Sequence, residues 1–64
     1  MTQKELLYVE DAIGHENNII MIFEDAVNNL ENEDLVSFMK KEIKKHEKIK
    51  SKLLSLLEGK IDEW

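Results

Sequence analysis

Leu6, Val9, Ile13, Glu16, Ile20, Phe23, Val27 and Leu30 recur at alternating steps of three and four; so do Leu35, Met39, Glu42, His46, Ile49, Leu53 and Leu56 after a polar break. Steps of that size stack side chains along one face of a helix. The two rows therefore predict two helices separated by Asn28-Asn29-Leu30-Glu31-Asn32-Glu33-Asp34. If the chain folds back there, the rows meet level by level: Val27 with Leu35, Phe23 with Met39, Ile20 with Glu42, Glu16 with His46, and Ile13 with Ile49. The expected fold is all-α, an antiparallel two-helix hairpin in one domain spanning 1–64. It has a helix over about 3–29, a turn over about 30–33, a helix over about 34–58 and a short tail.

Local signals agree with those bounds. Thr2-Gln3-Lys4-Glu5 fits a capping box, in which the Thr2 hydroxyl accepts from the Glu5 amide and the Glu5 carboxylate reaches back. Asn32 is a natural N-cap for the second helix, and Glu33 and Asp34 suit the positive end of its dipole. Gly59 is a natural stop. The tail beyond it, Lys60 to Trp64, is expected to let Trp64 fold back onto the helices. Gly14 weakens the first helix by about 1 kcal/mol relative to Ala and hints at close approach of another backbone.

A second row on the first helix, Tyr8, Ala12, His15, Ile19, Ile22 and Ala26, lies beside the first. Together they make a stripe wide enough for a helix with two neighbours in a bundle. A chain of 64 residues buries little apolar surface by itself, and with no Cys it cannot be stapled by disulfides. Association with a second copy, most simply a two-fold homodimer forming a four-helix bundle, supplies the missing neighbours. Met21 and Met39 are expected to pack within it.

The charge is −5, without Arg, which argues against nucleic acid, whose phosphates are held by clustered cations. It is unevenly placed: residues 1–34 hold nine acids and one Lys, residues 35–64 five acids and eight Lys. The halves should attract. Lys41, Lys44, Lys45, Lys48 and Lys52 line one side of the second helix, facing solvent or the acidic first helix of a neighbour. No apolar run is long enough for a membrane span, and the opening residues lack a signal-peptide pattern, so cytoplasmic synthesis is expected.

Two segments echo each other, Asp11-Ala12-Ile13-Gly14-His15-Glu16 and Glu42-Ile43-Lys44-Lys45-His46-Glu47. Glu16, Glu42 and His46 are the polar interruptions of the two core rows. A dimer would double them to four carboxylates and two imidazoles, the inventory of carboxylate-bridged di-iron or di-manganese bundles, which suits iron or manganese. Glu42 and His46 are four apart where that pattern has three. The competing reading is a structural Glu16–His46 pair with Glu42 extending outward. His15, with Asp11 one turn before it, is either a further ligand whose imidazole the Asp11 carboxylate orients by a hydrogen bond or an interface histidine. Ser37, Ser51 and Ser55 have no base beside them and no phosphate loop exists, so an enzyme is not the expectation; a ferroxidase-like metal oxidase is the alternative.

The stretch Glu5-Leu6-Leu7-Tyr8-Val9-Glu10-Asp11-Ala12-Ile13-Gly14-His15-Glu16 resembles the small spore coat proteins of endospore-forming bacteria related to the Coat F family, with a looser match around Lys45-His46. That resemblance implies the ferritin-like helical class, a spore-coat location, other coat proteins as partners and a non-catalytic structural role. The metal reading then corresponds to a half-ferritin.

Overall fold

A computed structural model of the chain describes residues 1–59. It holds two helices, α1 over Gln3–Asn29 and α2 over Glu33–Leu57, packed as an antiparallel hairpin. The second helix starts and ends one residue earlier than the sequence suggests. Trp64, expected to fold back, lies outside the described residues.

Each end of α1 and the start of α2 is fixed by short-range chemistry. The Thr2 amide donates to Glu5 Oε1 at 2.7 Å and the Glu5 amide to Thr2 Oγ1 at 3.1 Å, so the capping box is complete. Hydrogen bonding to its carboxylate, first from the Thr2 backbone amide and then from the Thr2 side chain, holds the Glu5 carboxyl below its ordinary 4.5. At the turn, the Leu30 amide donates to the Ala26 carbonyl at 2.9 Å, closing α1. Two residues later the Asn32 side chain accepts from the Leu35 amide at 3.0 Å and opens α2. Gly59 takes the left-handed conformation, φ 71°, that a residue with a Cβ resists, and its amide bonds the Leu56 carbonyl.

The first row of α1 faces α2. Val9, Ile13, Glu16, Phe23, Val27 and Leu30 are half-buried and Ile20 is buried. On α2, Met39, Glu42, His46, Leu53 and Leu56 of the expected row are half-buried, joined by Val36, Ile43 and Leu57. Leu35 and Ile49 stand at the margin of that contact, 46% and 37% exposed.

Two helices touching along one seam cannot enclose a core. Ile20 is accordingly the single buried hydrophobic among the described residues. The radius of gyration is 14.6 Å, where a compact domain of this length has about 11 Å. Met21, expected to pack, is 65% exposed because it points away from the seam; Met39 is half-buried. Gly14 meets no neighbour within 4 Å of where a Cβ would stand, so no backbone approaches it within the hairpin.

Candidate functional site

Halfway along the seam, the row of contacts turns polar. Glu16 projects from the middle of α1 and His46 from the middle of α2, and His46 Nδ1 lies 2.5 Å from Glu16 Oε2. Their side chains are 14% and 21% exposed, enough shelter to shorten and strengthen a charge-assisted hydrogen bond. With Nδ1 donating to the carboxylate, the ring is fixed in orientation and its Nε2 is turned elsewhere. Glu42, one turn before His46 on α2, places Oε2 4.0 Å from that Nε2, too far for a hydrogen bond. Phe23 lies against the imidazole, with ring centroids 6.1 Å apart and planes tilted by 52°. That falls within the range of a favourable aromatic pair.

The folding reason for the cluster is the register of the two rows. Glu16 and His46 occupy core-facing positions in their helices, so closing the hairpin at Leu30–Asn32 brings them together. The apolar residues above and below shield the pair from water. No buried side-chain polar atom among the described residues lacks a hydrogen-bond partner.

Of the five residues picked out in the sequence, the fold gathers Glu16, Glu42 and His46 around one imidazole. It leaves the other two outside. Asp11 and His15 are exposed to the side of the seam, and the hydrogen bond their spacing permits is not formed. Within one chain, no group of three or more His, Asp or Glu among the described residues stands in an arrangement that could hold a metal ion. The 2.5 Å separation of Glu16 and His46 Nδ1 is that of a hydrogen bond; two ligands of one ion, each about 2.0–2.2 Å from it, stand farther apart.

Phe23 was legible as a core residue of α1 but not as the ring that covers His46. The seven-residue offset between the level of Phe23 and that of Glu16 hides the contact, which a long aromatic side chain spans.

Ser55 Oγ donates to the Ser51 carbonyl one turn back, an ordinary use of a helical hydroxyl. Among the described residues, no helix is long and apolar enough to cross a membrane. No protein-family model, no curated protein and no solved structure matches the chain.

Proposed function

We propose that the chain is a non-catalytic structural protein that acts as a homo-oligomer, with two hairpins completing a four-helix bundle. The setting we assign it is that of a small spore coat protein, associated with other coat proteins. The observation that carries the first part is the thin core: a helical pair that, among the described residues, buries Ile20 alone while leaving Tyr8, Ile22 and Phe38 more than half exposed. Such a hairpin needs neighbours to be stable. The coat setting rests on the resemblance of residues 5–16. In this reading Glu16 and His46 form a register-setting pair: a half-buried polar contact penalises hairpins slipped along the seam, which would strand one partner.

Sedimentation equilibrium at micromolar concentration tests the assembly, with an integral multiple of the chain mass expected and a folded monomer ruling it out. Extraction of the coat layer from spores of the host tests the setting. The protein should leave the spore with the coat fraction, and recovery from the spore interior would refute that location.

One observation supports a second reading, iron or manganese held in the dimer by Glu16, Glu42 and His46, as in a half-ferritin. Glu42 stands beside the His46 nitrogen that Glu16 does not use. Anaerobic titration with ferrous iron decides it. About two ions per dimer, lost in the Glu42→Ala and His46→Ala variants, would make the cluster a metal site; a metal-free dimer would leave it a structural pair.

A further inference from the structure

Among the described residues, the largest uncovered set of apolar side chains shared by both helices lies on one side of the hairpin. Seen end-on, each residue of a helix is rotated about 100° from the one before. In two antiparallel helices the sense of rotation is opposite, so the residue preceding each contact residue points to the same side of the pair on both. On α1 these include Tyr8 and Ile22 and the half-buried Ile19, preceding Val9, Phe23 and Ile20; on α2 they include Leu35, Phe38 and Ile49. Tyr8 and Ile22 are each 65% exposed and Phe38 56%. The opposite side shows Leu7, Met21 and Leu54, with Leu6 at its margin and Met21 isolated from the others.

From this we infer that the Tyr8–Ile22–Phe38 side of the hairpin docks against the same side of a second copy, about a two-fold axis parallel to the helices, with α1 of each lying on α2 of the other. The inference rests on the homo-oligomer proposed above and names its face and symmetry. The hairpin measures 46 × 16 Å along its two longer axes, so one broad side offers roughly 740 Å², against about 800 Å² per partner in a stable interface.

Charge selects the axis. Counting residues within each helix, α1 has six acids and one Lys while α2 has seven Lys and four acids. A two-fold axis across the helices would stack α1 on α1 and α2 on α2, like charge on like. An axis along them stacks acidic on basic at both contacts, which favours that partner and disfavours the alternative.

Shape agrees with charge. Glu16 and His46 share a level, so residue numbers at one level add to about 62. A parallel two-fold axis preserves levels, and Phe38 then falls between Ile22 and Ala26 of the second copy. Ile49 falls between Ala12 and His15 of the second copy. Each large side chain of α2 therefore meets an alanine on the opposing α1. Asp11 lies at the level of Lys48 and Lys52, on the edge where the lysine row of α2 runs.

The chain lacks cysteine, so introduced cysteines report contacts without background. Four measurements test the inference. The parent protein should sediment as a dimer. Ile22→Asp should raise the dissociation constant at least tenfold while circular dichroism stays helical, and Met21→Asp, on the other side, should leave it within twofold. If the aspartate variant unfolds, Ile22→Ala should weaken the dimer in the same direction. A mixture of Ala26→Cys and Phe38→Cys chains should form a mixed disulfide on oxidation, and His15→Cys alone should not link to itself.

A dimer broken by Met21→Asp and not by Ile22→Asp would overturn the face while leaving self-association standing. Self-linking of His15→Cys without the mixed disulfide would overturn the axis, since only the crosswise arrangement brings the middles of two α1 helices together. A parent protein that is a folded monomer would sink both the inference and the homo-oligomer on which it rests.

Discussion

The seam between α1 and α2 and the flank beside it carry the same kind of side chain at the same helical spacing, yet one is covered and the other is not. Ile20 in the seam is 9% exposed and Ile22, two residues on, is 65% exposed. Both belong to apolar rows in α1, and both rows would be expected to face protein. Periodicity therefore reports which faces favour covering, while the identity of what covers them depends on how many helices are at hand. The hairpin supplies one neighbour to each helix and the stripe on α1 is wide enough for two.

The sharpest way to break that comparison is to truncate both isoleucines. Ile20→Ala removes a side chain from the only buried position among the described residues and should destabilise the fold by about 2–4 kcal/mol. Ile22→Ala should cost under about 1 kcal/mol in dilute solution, where the flank is wet, and more as concentration rises and the flank is covered. Thermal melts followed by circular dichroism over a hundredfold concentration range separate the two. Equal, concentration-independent losses would show that the flank is already packed in the single hairpin, and the distinction between the two faces would fail.

A second test stays within the seam and asks whether its polar layer contributes as its apolar layer does. Glu16→Ala removes the carboxylate 2.5 Å from His46 Nδ1 and should cost about 1–1.5 kcal/mol, at the low end for a charged hydrogen bond because both groups keep some water contact. Glu16→Gln, which retains an acceptor, should recover part of that loss. A Glu16→Leu variant as stable as the parent would show that the pair selects register and contributes nothing to stability. Amide exchange at Phe23 and Met39 would then report whether the seam has slipped.

At the turn, the seam competes with local chemistry for control of the fold. Asn32→Ala deletes the acceptor for the Leu35 amide and should cost about 1 kcal/mol, seen in a urea titration as a lower midpoint with an unchanged slope. A changed slope would mean that the cap sets the extent of the hairpin as well as its stability.

Most of the fold was legible because its determinants are short-range or periodic. Thr2 and Glu5, Asn32 and Gly59 are local signals that act within four residues, and each performs in the structure the role its neighbours suggest. The pairing of Glu16 with His46 was legible for a different reason: two rows read separately had the same spacing and a turn halfway between them. Legibility ended where several elements decide jointly. Met21 has the composition of a packing residue, but its direction on α1 takes it off both apolar rows. The Phe23 contact depends on the reach of a ring across two turns, and Asp11 with His15 depends on rotamers that sequence spacing permits without requiring. Whether Glu42 turns to His46 Nε2 or outward is likewise set by a flexible side chain at the margin of the seam, 26% exposed.

The smallest effect concerns the end of α1 farthest from the turn, where neither seam nor flank is thick and the capping box works alone. Hydrogen bonds from Thr2 hold the Glu5 carboxyl below its ordinary 4.5 in the folded chain. A carboxyl depressed in this way contributes stability that is complete above its unfolded value and is lost as pH falls through the lower folded one. Amide exchange at Glu5 and Leu6 should therefore be protected at neutral pH and accelerate, relative to amides in the middle of α1, on acidification from about pH 5 downward. Glu5→Gln keeps an oxygen that accepts from the Thr2 amide but does not titrate, so its relative protection should hold constant through the same window. Parallel loss in both proteins would mean that the end of α1 frays because the whole seam loosens in acid, making even this terminal turn dependent on the contact between the helices.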